Sequence, residues 1–284
     1  MIELSVITQT GHTVWRELRA SYAFVERNFN LVKRYWGWEV VWFTYSLANA
    51  LSITYIGAGM DQISGAQVDT DYLVIYLLIG TLVWRYLSIV FDAISEMIAW
   101  ERWEGTIEYT FMAPVSRLTH MLGQTVFSLV WGLFFTGVIF GVVALLFDVD
   151  LSNANLAGAS LVMLAASLSF IGFGIVAAVL PLLFPERGAQ MTNVVQALLL
   201  LVSGVYYPIT VLPGWMQAVA RVSPATYALS AMRAAILENA SWTLLVEDVL
   251  LLTVMGLVMI PIGLWVFSKA ETYAKRTGKL KRTG

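Results

Sequence analysis

The chain has 284 residues, of which 58% are hydrophobic and only 13% charged, with a mean hydropathy of +0.73. A soluble domain carries about 45–50% apolar and about 25% charged residues, so a water-soluble globular fold is excluded. The net charge of −2 points to no partner, and the lack of cysteine rules out disulfides, thiolate metal sites and cysteine nucleophiles.

The first predicted element is a helix over 13–36. Val14, Leu18, Tyr22, Val25, Phe29, Val32 and Trp36 recur at intervals of three and four, while Arg16, Arg27 and Arg34 fall on the opposite face. This pattern predicts an amphipathic helix along the inner leaflet, held by apolar burial and by attraction of its bases to anionic lipid.

A spanning helix needs about 20 mostly apolar residues, and six stretches reach or approach that length: 40–60, 72–94, 125–147, 157–184, 190–207 and 244–267. The first follows some forty residues and has no basic region ahead of a cleavage site, so it reads as a retained span and not a signal peptide. The fourth and fifth stretches allow other breaks around Pro181, Pro185 and Arg187. Arg16, Arg19, Arg27, Lys33 and Arg34 precede the first span; Lys269, Lys275, Arg276, Lys279, Lys281 and Arg282 follow the last. The positive-inside rule therefore places both termini in the cytoplasm, with Arg102, Arg117 and Arg187 on the same side. The opposite loops are acidic at Asp61, Asp69, Asp71, Asp148 and Asp150, and hold only Arg221 and Arg233 as bases. Trp36, Trp38, Trp42 and Trp265 fall at headgroup level, where amphipathic rings prefer to sit. The expected organisation is a cytoplasmic segment 1–39, a six-span unit 40–267 and a basic cytoplasmic tail 268–284.

Charge inside a span is costly and so informative. Arg85 and Asp92, with Ser88 between them and Glu96 beyond, lie near one face of the second span. Either they line a hydrated cleft, or Arg85 snorkels inward while the two acids sit at the interface. Asn193 and Gln196 share a face of the fifth span, as glue between helices or as part of the same lining. Gly137 and Gly141 form a G-x-x-x-G pair in the third span, a weak signal by itself.

The loop 95–124 is too patterned for a mere connector. Glu101, Glu104 and Glu108 keep helical spacing, with Trp100, Trp103 and Ile107 offset from them, so a short helix there shows acids on one side and aromatic and aliphatic groups on the other. Such a surface suits docking; the alternative is a solvated helix whose Trp residues rest on the bilayer. On the far side, 203–243 predicts two short helices, with Pro213 and Pro224 at first helical positions and Ser223 as an N-cap. These are apolar enough to re-enter the membrane, where any non-helical backbone must be buried in protein or line a wet cavity.

Catalytic patterns are missing. His12 and His120 belong to no metal-ligand spacing, no G-x-S-x-G occurs, and no G-x-x-x-x-G-K-[ST] is present. The chain carries no nucleotide-binding loop of its own. An embedded transferase needs clustered carboxylates, His or Lys at one depth, which the spans lack beyond Arg85 and Asp92. An ion-driven secondary transporter needs broken helices with paired polar sites and remains the alternative from another class.

Two segments give the chain a resemblance. Glu104-Gly105-Thr106-Ile107-Glu108, followed by Pro114-Val115-Ser116-Arg117, resembles the E-G-T-L-E and P-V-x-R stretches between the second and third spans of type-2 ABC exporter permeases. Ser203-Gly204, Pro208, Leu212-Pro213, Pro224, Tyr227 and Arg233 resemble that family's second hallmark, and Ile107 for leucine is a conservative departure. The resemblance implies an all-α integral membrane protein with six transmembrane helices, an N-terminal interfacial helix and a short external re-entrant helical pair over 208–243. It implies a non-enzymatic export permease of the cell membrane, paired with a second permease copy as a homodimer or with a different permease as a heterodimer, and driven by separate cytoplasmic ABC ATPase subunits that hold the ATP and Mg. This chain is then expected to bind no cofactor, metal or nucleic acid. Trp103, Glu104, Gly105, Thr106, Ile107 and Glu108 would couple to the ATPase. Arg85, Asp92, Asn193 and Gln196 would line the translocation path, and Ser203, Gly204, Pro208, Pro213, Pro224, Tyr227 and Arg233 an external gate. The outer segment resembles the drug-export branch and implies a hydrophobic drug or lipid-like cargo, with polysaccharide or glycolipid export as the alternative.

Overall fold

The computed structural model describes residues 2–113, 116–149, 151–152, 154–184 and 186–278, with side chains from residue 15 onward except those of 103 and 118. The chain is 85% helical, and the described residues contain no strand. In order the helices are α1 Ile2–Arg34, α2 Trp36–Ala58, α3 Met60–Ser64, α4 Thr70–Glu104, α5 Ile107–Met112, α6 Arg117–Leu146, α7 Leu156–Ala177, α8 Val179–Leu183 and α9 Gly188–Val202. A 3-10 turn Ile209–Val211 then leads to α10 Gly214–Ala220, α11 Pro224–Leu237 and α12 Trp242–Arg276.

Four stretches are long and apolar enough to cross a membrane: Thr70–Arg102, Thr119–Leu146, Leu156–Leu183 and Trp242–Arg276. The other two expected spans coincide with α2 and α9. The apolar character of α2 is diluted by its Trp, Tyr, Ser, Thr and Asn residues, and α9 is apolar but has only 15 residues. The chain is an all-α, multi-pass membrane protein.

Two apolar clusters hold the bundle. The larger joins α4, α7, α11 and α12 around Tyr86, Phe91, Phe170 and Phe267; the smaller joins α2, α4 and α6 around Ala50, Leu78, Leu82, Ile139 and Val143. Burial of apolar side chains does not separate helix from lipid, so close packing carries this association. The most intimate pair is α7 with α12. A methyl group at Gly256 would lie 2.7 Å from the backbone of Leu168, which only the absence of a Cβ allows. Polar groups in the seams are satisfied across them: Tyr86 OH and Ser167 Oγ lie 2.7 Å apart, and Ser169 donates to the Leu252 carbonyl at 2.6 Å.

α1 lies against the first turns of α6. Phe24 and Ser21 pack at Gly123, and Asn28 donates to Gln124 at 2.9 Å. Its outward side leaves Trp15, Leu18, Tyr22 and Phe29 exposed in one apolar line.

Candidate functional site

The expected short helix in 95–124 takes a different form. α4 continues ten residues past the predicted end of its span, from 94 to Glu104, and stops because Gly105 adopts the left-handed conformation (φ 74°). Its N–H then bonds to the Arg102 carbonyl and that of Thr106 to the Glu101 carbonyl, closing the helix end. The chain turns sharply into α5. This elbow splits the predicted acidic face: Glu101 points inward and is buried, whereas Glu104 and Glu108 stay exposed. Ile107 is buried too, so it roots the elbow and does not join an outer apolar face. The exposed surface consists of Trp100, Glu104, Glu108, Tyr109 and Met112, the last two about three-quarters exposed. The Trp103 side chain, Pro114 and Val115 lie outside the described residues.

Beneath that surface a set of polar locks ties the elbow to the bundle. Glu101 Oε1 and His120 Nε2 sit 2.8 Å apart, joining the end of α4 to the start of α6, with only 3% and 1% of their side chains exposed. Phe24 of α1 packs on the imidazole with ring centres 5.2 Å apart. Arg117, the arginine of the P-V-x-R stretch, uses its whole fork. It donates to the two carboxylate oxygens of Glu271 on α12 at 3.1 and 3.0 Å, and to the carbonyls of Thr110 and Phe111 in the last turn of α5 at 3.1 and 2.7 Å. Its charge also lies 4.2 Å from the Phe111 ring centre, a cation–π distance. Lys275 adds a second cation to Glu271 at 2.7 Å. Arg102, also buried, donates to the carbonyls of Pro181 and Leu182 at the end of α8.

The polar residues of the proposed path meet only in part. Asp92 accepts a hydrogen bond from Gln196, so α4 and α9 are joined there. Asn193 is exposed one turn earlier and takes no part, Glu96 is exposed, and Arg85 is half-buried without an ion pair to Asp92.

At the opposite end, Ser203 ends α9 and its hydroxyl lies 2.7 Å from that of Ser223. Ser223 does hold the N-cap position of α11 but makes no capping bond; its hydroxyl pairs with that of Ser203. Pro224 occupies a first-turn position as expected, whereas Pro213 precedes α10 as its N-cap and Gly214 begins the helix. Pro208 opens the 3-10 turn. Gly204 turns the chain with φ 72°, and the freed carbonyls of Gly204 and Val205 are both taken by Arg233 at 3.1 and 2.7 Å. The guanidinium covers the Tyr76 ring at 3.5 Å, and Tyr227 OH closes back on the Arg221 carbonyl at 2.7 Å. Thus each end of the bundle has an arginine that satisfies carbonyls left over at a helix end, Arg102 on one side and Arg233 on the other.

Sequence reasoning missed Glu271, Arg102 and the Glu101–His120 pair. Only Glu271 had a local signal, its i, i+4 spacing to Lys275; the others depend on partners remote in sequence.

The described residues form a helical membrane bundle, bent into an elbow at one end and capped by short helices at the other. Residues 20–237 match the ABC-2 type transporter family, and the chain belongs to it. It is a membrane permease component of an ABC transporter, not itself catalytic, of a family that associates with ABC ATPase subunits. No curated protein matches the chain significantly. The matched range stops before α12.

Proposed function

We propose that this permease exports a hydrophobic drug or lipid-like molecule, with six spans, both termini cytoplasmic, and the α4–α5 elbow seated in a groove of a separate ATPase subunit that binds ATP and Mg. The observation that carries this reading is the elbow itself. Trp100, Tyr109 and Met112 stand exposed beside Glu104 and Glu108, while Ile107 and Phe111 root the same turn in the core. Exposed apolar groups beside acids supply an anchor and a register-setting charge for a partner surface. In this reading 1–39 lies at the inner leaflet through Trp15, Leu18, Tyr22 and Phe29, 268–284 is a cytoplasmic tail, and α10 and α11 form the external gate.

A second copy of the chain completes the path, whose walls in each copy include the Asp92–Gln196 junction, Arg85 and Asn193. A hydrophobic cargo is supported by the exposed faces of α2 and α9, where Val40, Val41, Val194, Leu198 and Leu201 offer no hydrogen bonds. The exposed rings of Tyr35, Trp36, Trp38 and Trp42 favour the second reading, polysaccharide or glycolipid export, because sugar faces stack on aromatic rings.

The test is Glu104→Lys combined with Gly105→Ala, assayed in membranes for co-purification of an ABC ATPase and for ATP-driven efflux of lipophilic dyes. Loss of coupling with normal insertion is expected. ATPase capture and efflux both unchanged would overturn the assignment of the elbow.

A further inference from the structure

Glu271 lies beyond the family-matched range, in the last turns of α12, yet its carboxylate is only slightly exposed and is fully engaged. A forked guanidinium on a carboxylate fixes both distance and orientation, because two parallel bonds resist rotation as well as separation. Here the same guanidinium also holds the last carbonyls of α5. A displacement of α5 therefore pulls on Arg117, and through it on α12. α12 in turn packs along α7 over most of its length, and near its start Leu245 meets Gly158 beside α11. The connection thus runs from the elbow to the capped end without passing through α4.

Resting on the reading of the elbow as the ATPase contact, we propose that Glu271 is a positioning residue of transport: it fastens the elbow to α12, so that nucleotide-driven movement of α5 is delivered to α12 and the cap. Lys275 touches the same carboxylate from α12, half-exposed, and its ammonium lies 5.8 Å from the Phe111 ring centre, a looser contact with α5 than the fork of Arg117.

The chain has no native cysteine, so single spin labels can be placed without background. Ala113, part-exposed at the C-cap of α5 and outside the proposed docking surface, and the exposed Leu257 on α12, each paired with Val40 on α2, report the movement of α5 and of α12 separately. The complex with its co-purified ATPase is measured with and without ATP and vanadate. In the parent chain both distances should shift with nucleotide. In Glu271→Gln the α5 shift should persist and the α12 shift should shrink, because only the ring contacts of Phe111 with Phe267 and Lys275 still join the two helices, while Lys275→Gln, which leaves the fork in place, keeps both. Should Glu271→Gln fail to fold, Arg117→Lys, which retains the charge but not the fork, should show the same separation. If α5 does not move in the parent chain, the coupling reading fails; if α12 moves as far with α5 in the folded variants as in the parent chain, the role of Glu271 fails alone.

Discussion

Gly80 and Val205 meet backbone to backbone: a Cβ on Gly80 would sit far inside van der Waals contact with the Val205 carbonyl oxygen, and 3.1 Å from Arg233 Nη2. The carbonyl cannot give way, because it already accepts from Arg233. Gly80→Ala should therefore lift the turn after α9 off α4 and cost about 1–3 kcal/mol, as overpacking does. Gly137→Ala is the control, since nothing lies within 4 Å of a Cβ there, and it should change stability by less than about 0.5 kcal/mol. Thermal unfolding of the purified protein in detergent measures both. Equal effects would mean that the close approach at Gly80 is not a constraint.

Arg233 serves the same turn from the other direction. Two carbonyls and the Tyr76 face take one planar cation, a combination that an ammonium cannot reproduce. Arg233→Lys is expected to lose about 2 kcal/mol, the scale of a charge-assisted hydrogen bond, although it conserves charge. An unchanged unfolding midpoint for Arg233→Lys would show that charge alone suffices.

The two hallmark segments were legible in the sequence because each is local. Glycine at 105 after a helical run marks a helix stop, and proline at 224 after serine marks a start. What escaped was the inward turn of Glu101 and Ile107. Spacing placed both on a single continuous helix, but Glu101 is drawn in by His120, and the left-handed Gly105 rotates everything after it, so that Ile107 turns inward on the same short helix whose Phe111 packs on Phe267. The length of α4 beyond its predicted span was hidden for a similar reason. Hydropathy falls where α4 leaves the apolar stretch, yet the helix itself continues to Glu104, since Arg102 and Glu101 find partners inside the fold. Of the residues assigned to a path, only Asp92 and Gln196 come together, because periodicity fixes a face but not its neighbour.

The Glu101–His120 pair allows a sharper energetic test. Both groups are buried, so removing one strands the other, and Glu101→Ala is expected to cost about 3–5 kcal/mol. Replacing both by apolar groups removes the stranded partner, and Phe24 already offers His120 an aromatic neighbour. Glu101→Leu with His120→Phe should accordingly be more stable than either single change. Unfolding midpoints across the four proteins of this cycle decide the matter; simple additivity would deny the coupling.

Glu17 predicts a pH dependence at the α1–α6 contact. A hydrogen bond from the Thr119 side chain, followed by the backbone N–H of Ser116 at 3.3 Å, holds its carboxyl below the ordinary value of 4.5. A carboxyl whose folded pKa is depressed contributes fully above the unfolded value, and that contribution disappears as the pH falls through the lower folded value. Docking of α1 on α6 should hence be constant above about pH 5 and loosen in more acidic solution. Hydrogen exchange at the Ser116 amide, corrected for its intrinsic rate, reports this contact directly. Glu17→Gln should show weaker protection that no longer varies over the acidic range, since the amide cannot titrate. A variant profile that tracks the parent profile down to the lowest pH would assign the loosening to groups other than Glu17.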